Sequence, residues 1–522
     1  MSLNFEKLTN SEVLVPADFY SEIGRQALEA SPKSIEIEQF SNERITHRIE
    51  RLIDILQAFG EQILPEVVYD SVVLYELTAA LDFKTDDQFA NQTRQMVCQE
   101  YLTNPKLSNE QFDYVTSILG DLDFMDNEAN SYRANPNIYN PNQTMTKQRL
   151  YEIVQNSYQN QLDQTDWDVR AKSIDLDRMK SILRQVNLES VMIKAAQILD
   201  DLHKQTEHSD VELFHKVAEI ESFYAPICEI IGFDGFASAL RDQAMQLRYE
   251  KMGRTDILDR AKELYKAAVD LGPAEAIKLL SQISDDKTNF YFEQVAGRRL
   301  NGDDFVNTGN FVVNLADGLD LSQGHYRIKS VGSLADKIYQ NPKYHEQLPM
   351  DSLAYAFVSK NVADLQRALS IVLGKIKAHN VDLRPSANKK AAVYIQGEKT
   401  YVDSIGYFLE NDDIDFVKKY SESGSFQAAR VTFVLHNQKS QEVGVEIQFL
   451  TLADRENSRR GSASHTLYKL SRGANDKSLV EETIAFMQQI HDRKKHLTKE
   501  GDKLTINPSS YRRSQIWRQQ LD

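Results

Sequence analysis

Tyr326-Arg327-Ile328-Lys329-Ser330-Val331-Gly332-Ser333-Leu334-Ala335-Asp336-Lys337 places three cations and a hydroxyl, Arg327, Lys329, Ser333 and Lys337, at near-helical spacing. Such a set suits a polyphosphate. Arginine offers a planar fork to two oxygens, lysine a compact charge, and serine a neutral hydrogen bond. Taken alone, the segment reads at least as readily as an amphipathic helix whose charges face water. Its setting makes it conspicuous, because the chain carries a formal charge of −16 and a sequence pI near 5.3. That balance argues against a general nucleic-acid or anionic-membrane binder, either of which needs a basic surface. Any nucleotide site is therefore a local basic island.

Around this segment the pattern is that of strands. Phe311-Val312-Val313-Asn314-Leu315, Leu353 to Val358, Val393-Tyr394-Ile395, Val431 to Leu435 and Val443 to Phe449 are short runs rich in β-branched and aromatic residues. A helical pattern from Val362 to Ile376 lies between them, which predicts an α/β or α+β domain with a mixed sheet. Upstream the period changes. From Glu43 to Leu81 and from Met145 to His203 apolar residues recur at three- and four-residue spacing, as in Ile49, Leu52, Ile53 and Leu56, or Met179, Leu183 and Val186. Between them Asn135-Pro136-Asn137 and Asn140-Pro141-Asn142 supply turn chemistry for a surface loop. The helical pattern resumes from Val211 to Leu271 and stops at Gly272-Pro273. Near the end, Ser478 with Glu481 forms a capping box ahead of Leu479, Thr483, Phe486, Met487 and Ile490, a helix with one apolar face for docking.

A chain of 522 residues exceeds a single core, so several domains are expected. The pattern predicts an all-α domain over 1–215, a helical bridge over 216–300, the sheet domain over 301–475, and a C-terminal helix and polar tail over 476–522. The two cysteines, Cys98 and Cys228, make neither a disulfide framework nor a thiolate metal site, which points to a reducing compartment. No apolar run reaches membrane-spanning length, and Glu6, Glu12 and Asp18 stand where a secretion signal would be basic and then apolar. The expectation is a cytoplasmic protein with no membrane partner; the pattern leaves oligomeric state open, a homo-oligomer included.

The order of motifs downstream makes the chain nameable by resemblance. After the basic segment come Asp351 ahead of a strand, then Glu446-Ile447-Gln448-Phe449-Leu450-Thr451, then Arg460-Gly461-Ser462-Ala463-Ser464-His465-Thr466-Leu467-Tyr468-Lys469. From about Gly302 to Lys469 this resembles the nucleotide pyrophosphokinase domain of the RelA/SpoT alarmone enzymes, a nucleotidyltransferase-like fold. In that family R-x-K-x3-S-x3-K precedes a catalytic Asp, and an E-x-Q-x-x-T strand precedes R-G-x-A-x-H-x-x-Y-K. The resemblance implies transfer of pyrophosphate from ATP to the ribose 3′-hydroxyl of GDP or GTP, with Mg²⁺ as the cofactor, in (p)ppGpp synthesis and the stringent response. By it, Asp351 binds Mg²⁺, Glu446 supports the metal or activates the hydroxyl, and Arg327, Lys329, Ser333 and Lys337 hold the ATP phosphates. Phe426, in Gly424-Ser425-Phe426-Gln427, takes the place of a base-stacking tyrosine, and with Gln448 and His465 it serves the acceptor nucleotide.

The chain also departs from the family. Ala356 and Leu450 replace residues that carry phosphate-facing positive charge, and Arg430 stands where a histidine is usual. Lys389-Lys390, Lys418-Lys419 and Arg459-Arg460 are candidate substitutes, though each reads as an exposed loop pair. The N-terminal half is similar to the family's metal-dependent hydrolase domain through Ile45-Thr46-His47, Val191 to His203 and Glu221 to Cys228. Tyr75-Glu76 and Ala79-Ala80 stand where that domain has its metal and catalytic pairs, and Lys204 replaces an Asn. A metal site cannot be built from those residues, which implies that hydrolysis is lost. Two other readings remain: a nucleotide- or alarmone-sensing pseudoenzyme, and a pyrophosphokinase with another acceptor such as RNA.

Overall fold

The structure is a computed structural model that describes residues 45–59, 66–82, 109–133, 139–140, 164, 166–168, 170–171, 176–204, 208–273, 276, 289–291, 308–314, 323–360, 364–365, 368–369, 372, 392–395, 398–401, 414–416, 428–460, 485–487, 489–490 and 509–513. The chain divides into two compact units, Met1–Met252 with Arg298–Asp304 and Ala485–Asp522, and Gly253–Gly297 with Phe305–Ile484. The first is helical and the second is built on a mixed sheet. No helix among the described residues is long and apolar enough to cross a membrane.

In the first unit the described helices are α1 (Ile45–Phe59), α2 (Glu66–Asp82), α3 (Asn109–Arg133), α4 (Leu176–Gln185), α5 (Leu188–His203), α6 (Asp210–Glu219), α7 (Ala225–Ile231) and α8 (Asp234–Lys251). Helix α5 packs against α1, α3 and α8, and its buried Val191, Met192, Ala195, Ile198, Leu199 and Leu202 supply the three- and four-residue stripe that fixes it there. The helical pattern over 43–81 is realised as α1 and α2; of that over 145–203, residues 176–203 form α4 and α5, whereas Asp166–Asp168 is a single 3-10 turn and Arg170–Ala171 a short strand. The 25-residue α3 has no counterpart in the sequence reading, because its apolar residues are interrupted by Asp113, Asp121, Asp123 and Asp126. A π-helical turn, Ile220–Tyr224, precedes α7, where Pro226 cannot donate to the helical ladder.

The acidic interruption in α3 has a structural use. Asp121 is fully buried and accepts from the Asn187 backbone N–H at 2.7 Å, Ser190 Oγ at 3.1 Å and Ser510 Oγ at 2.9 Å. Arg513 donates to it through Nε at 2.9 Å and Nη2 at 2.6 Å, and its guanidinium lies 4.7 Å from the centre of the Phe124 ring. Gly120 lets this arginine approach, since a Cβ there would lie 2.8 Å from Arg513 Cβ. Earlier in the same tail Phe486, Met487 and Ile490 are buried, with Arg184 over the Phe486 ring. The docking expected of that apolar face is therefore made, and it is made onto the helical unit. The capping box at Ser478 lies outside the described residues.

In the second unit the elements are helix α9 (Thr255–Leu271), strands β1 (Asn289–Tyr291), β2 (Thr308–Asn314) and β3 (Gln323–Ile328), helix α10 (Val331–Gln340), strands β4 (Leu353–Ser359), β5 (Ala392–Ile395), β6 (Glu398–Tyr401), β7 (Ile414–Phe416), β8 (Ala429–His436) and β9 (Glu442–Thr451), and helix α11 (Leu452–Arg460). One sheet runs β8-β9-β4-β3-β2-β1; β9 pairs with β4 in parallel and the other neighbours are antiparallel. A smaller sheet runs β6-β5-β7. The five strand-like runs of the sequence all appear as strands, and α9 ends at Leu271 with Gly272 at φ 75° as expected.

The basic segment is not one helix. Arg327 lies in β3, Lys329 in the connection, and Ser333 and Lys337 in α10. The reason is visible in Gln323 to Ile328, whose antiparallel pairing with β4 puts Tyr326 opposite Tyr355 and buries both, a period of two that the charge spacing hid. Val443, Val445, Ile447 and Phe449 of β9, with Val431 and Phe433 of β8, make that same face of the sheet apolar; each such side chain contributes about 1.5–3 kcal/mol on burial. Helix α9 packs against β3 and β9, and the Tyr355 hydroxyl donates to the Pro273 carbonyl at 2.6 Å. The opposite face carries Arg327, Glu446, Gln448, Thr432 and Arg430 in one part and an apolar cluster of Val358, Ala428 and Leu450 beside them.

Removing the tail's guanidinium by Arg513→Ala leaves a buried carboxylate short of its cation, so the helical unit should lose about 3–5 kcal/mol. Urea unfolding followed by circular dichroism measures this, and an unchanged midpoint would show that the tail contributes nothing to that unit.

Candidate functional site

The polar face is defined by register. Arg327 of β3 stands opposite Ala354 of β4, Ala354 opposite Glu446 of β9, and Glu446 opposite Thr432 of β8. Two residues along β4, β9 and β8, Ala356, Gln448 and Arg430 form a second row on the same face. Arg327 is exposed, Gln448 and Arg430 are half-buried, and Glu446 is 8% exposed. Gln448 Nε2 donates to Glu446 Oε1 at 2.5 Å, which orients the carboxylate across the floor made by the two small alanines.

At one end of this face lies a charge clasp. Lys329 Nζ donates to Asp351 Oδ2 and Lys337 Nζ to Asp351 Oδ1, each at 2.5 Å. Burial raises the Asp351 carboxyl, but the two ammoniums outweigh it and hold the group well below the usual carboxylate range. Burial pulls Lys329 below its ordinary value, with Asp351 opposing. Lys337 also lies 5.1 Å from the centre of the Tyr344 ring. Ser333 sits in the first turn of α10, where Ser330 caps the helix by accepting from the Ser333 N–H at 3.4 Å and donates its own hydroxyl to Ser333 Oγ at 3.1 Å.

The turn carrying Asp351 is fixed from three sides. Ser352 Oγ donates to the Pro349 carbonyl at 2.9 Å, and the Lys329 N–H donates to the Ser352 carbonyl at 2.9 Å. Gly444 of β9 permits the close approach, because a Cβ there would lie 2.2 Å from Pro349 O and 2.7 Å from Met350 Cα. None of Ser352, Gly444 and Pro349 stands out in the sequence. The glycine inside the strand run Val443 to Phe449 was the available signal, since glycine in a strand marks close backbone approach.

The structure thus brings Lys329, Lys337 and Asp351 together, and puts Arg327 and Glu446 in one cross-strand row. Asp351 and Glu446 are not register partners: Glu446 pairs with Ala354, three residues after Asp351, or about 10 Å along the strand. Ala356 and Leu450 belong to an apolar cluster with Val358, Ala428 and Leu452, so the departures from the family pattern form one patch on this face. Phe426, His465, Lys389-Lys390 and Lys418-Lys419 lie outside the described residues.

The acidic groups of this region are Asp351 and Glu446. Among the described residues no group of three or more His, Cys, Asp or Glu could hold a metal, so there is no all-protein cage there. Mg²⁺ is commonly held by one or two carboxylates completed by substrate phosphates, and Asp351 and Glu446 are hard oxygen donors of that type. Both oxygens of Asp351 are engaged by ammoniums. Phosphate oxygens are natural alternative partners for those lysines.

In the helical unit the place compared with the hydrolase centre is filled by a network of ion pairs. Arg48 Nε donates to Glu76 at 2.8 Å, and its Nη1 reaches Asp200 at 3.2 Å and Asp201 at 3.0 Å. Arg51 grips Asp200 with two bonds, at 2.7 and 3.0 Å, Lys216 donates to Asp201 at 2.7 Å, and Gln197 donates to Glu76 at 2.7 Å. Burial opposes the Arg48 charge, yet Glu76, Asp201 and Asp200 raise its pKa above the usual value. Tyr75 donates to Asp126, which also accepts from Lys194. The sequence reading passed over Arg48 and Arg51, whose i,i+3 spacing on α1 beside buried Ile49 and Leu52 was the available signal.

Substituting Gly444→Ala forces the Pro349–Asp351 turn away from β9 and should cost about 1–3 kcal/mol by overpacking; a variant as stable as the parent would show that the approach is not tight. His203 next to this network is lowered to about 4, chiefly by burial, with Asp200 opposing and Arg51 adding. Its folded pKa lies below the unfolded value of about 6.5. Between those values the unfolded chain binds a proton that the folded one refuses, so this group's contribution falls as pH drops, by up to about 2 kcal/mol from pH 7 to 5. His203→Gln should flatten that part of the pH dependence in urea titrations, and an identical slope in both proteins would remove the assignment.

No protein-family model matches the chain, and no curated protein matches it.

Proposed function

We propose that the polar face of the β8-β9-β4-β3 sheet is a pyrophosphoryl-transfer site that uses ATP as donor and a guanine nucleotide, GDP or GTP, as acceptor, in the manner of the RelA/SpoT synthetases. The observation that carries this reading is the convergence of Lys329 and Lys337 on Asp351 at 2.5 Å, beside the row that holds Arg327 and Glu446. A half-buried pair of ammoniums on one carboxylate is preorganised for polyanion exchange. A triphosphate entering against α10 takes the ammoniums as partners for its oxygens and frees the Asp351 carboxylate. Arg327, on the exposed end of the row, and the Ser333 hydroxyl in the first turn of α10 add donors for the same phosphates.

In the reaction the acceptor's 3′-oxygen attacks the β-phosphorus of ATP, the bond from that phosphorus to the α–β bridging oxygen breaks, and AMP departs. The hydroxyl proton passes to the Glu446 carboxylate, which Gln448 orients. Asp351 and Glu446, with the phosphates, would hold Mg²⁺, which would neutralise the triphosphate charge. The helical unit does not hydrolyse the product in this reading, since guanidiniums and an ammonium neutralise the carboxylates that a metal would need.

A second reading is favoured by the apolar patch at Ala356 and Leu450, which removes positive charge from the face. In it the site binds guanine nucleotides or alarmones without transfer and acts as a sensor.

Purified protein incubated with ATP labelled in its β- or γ-phosphate, Mg²⁺ and each of GDP, GTP and RNA separates these readings. Label should appear on GDP or GTP, and Asp351→Ala should reduce the rate on the order of a hundredfold or more. Label on RNA alone would move the acceptor class. Tight guanine-nucleotide binding by calorimetry without transfer would support the sensor, and neither binding nor transfer would overturn both.

A further inference from the structure

We infer that a groove lined by α9, the turn leading to Asp351 and the β8–β9 hairpin binds a linear aliphatic polyamine. The inference does not depend on the transfer reading, and its ligand is opposite in charge to the nucleotides of that reading.

The groove has a volume of about 610 Å³, within the range of small-molecule sites. Its floor is aliphatic: Leu264 and Ala267 of α9 and Met350 of the turn are buried, and Leu348 is half-buried. Its rim is acidic. Glu263 of α9, Glu346 of the turn and Glu442 of β9 are exposed carboxylates brought together from three separate elements. Among the described lining residues Arg260 is the one cation, and it donates to Glu263 at 2.8 Å. Negative charge therefore prevails on the rim. Lys439, on the hairpin, donates to Asp270 at 2.6 Å and does not line the groove.

Carboxylates above an aliphatic floor call for cations spaced by methylenes. Ammoniums make charge-assisted hydrogen bonds to the acids, and the methylenes between them cover the floor as a lysine stem covers apolar surface. A basic peptide meets the charges equally well, but it brings an N–H and a carbonyl at every residue, each of which needs a partner. The walls have few to give. Helix α9 spends its backbone groups on its own ladder, and the Ala267 carbonyl also accepts from Asn437 Nδ2 at 3.4 Å. The N–H groups of Glu346 and Gln347 donate to the Lys343 carbonyl, and the N–H and carbonyl of Gln441 are both paired with Asn437. A polyamine asks for none of these groups.

Occupancy acts on the turn. Glu346 to Met350 contribute to the groove, and the next residue is Asp351, whose carboxylate accepts from Lys329 and Lys337. A ligand seated on Leu348 and Met350 and bonded to Glu346 ties this turn to α9 and β9, so local opening of the turn becomes rarer.

The test is calorimetric titration of the full chain with spermidine and with an N-acetylated trilysine amide of equal charge. Three proteins are compared: the parent, Glu346→Gln/Glu442→Gln in the groove, and Glu110→Gln/Glu250→Gln at two exposed acids of the helical unit. The parent should bind spermidine more tightly than the peptide. Loss of two exposed ion pairs should weaken spermidine about fivefold or more in the groove variant, while the control variant keeps the parent's affinity. Bound spermidine should slow hydrogen exchange of the backbone amides over 346–352. No binding by the parent would overturn the inference. So would an unchanged affinity in the groove variant, or equal weakening in both variants, because the amine would then be held by the acidic surface at large. Tighter binding of the peptide would exclude the polyamine as the preferred occupant, and unaltered exchange over 346–352 would put the amine elsewhere. None of these outcomes bears on transfer, which the labelled ATP assay decides separately.

Discussion

One half-buried carboxylate organises the second unit. Asp351 accepts from Lys329, which leaves the end of β3, and from Lys337, one turn and a half into α10. The three groups tie a strand end, a helix and the turn entering β4 into a single frame. Two ammoniums drawn to one carboxylate leave an excess of positive charge in a protein that is strongly acidic elsewhere. The excess is held in place by geometry: Gly444 admits the Pro349 turn against β9, and the parallel pairing of β9 with β4 sets where that glycine falls. The same pairing lays Glu446 beside Ala354 and Gln448 beside Ala356, so the order of the polar face follows from the register that positions the clasp.

The two units handle buried charge in opposite ways. In the helical unit each carboxylate of the Glu76, Asp200 and Asp201 group meets a guanidinium or ammonium of Arg48, Arg51 or Lys216. Carboxylates engaged in this way give specificity of packing and are not available to a metal. In the sheet unit one acid, Asp351, meets two bases, Lys329 and Lys337.

Much of this was legible in the sequence, and the exceptions have physical causes. The five strand runs and the end of the helix at Gly272 were readable because β-branched clusters and a glycine–proline stop are local signals. The charges at 327, 329, 333 and 337 fit a near-helical spacing and so mask the strand, whose signal is Tyr326 and Ile328 alternating with Arg327. Helix α3 was missed because its acids break the apolar stripe, and one of those acids is buried for a partner 392 residues away in sequence. Cation spacing and strand identity could be read in advance. The register that pairs Glu446 with Ala354 could not, since it depends on a parallel pairing between strands separated by more than eighty residues.

The tail that reaches Asp121 carries a consequence for how the molecule is made. A ribosome delivers the helices of the first unit early, then the whole of the sheet unit, and only afterwards Ser510 and Arg513. Until then Asp121 has a serine, a backbone amide and no cation in a dry interior, a state that costs free energy and invites water or a passing chaperone. The core of the helical unit is therefore completed only after the whole of the sheet unit has been synthesised.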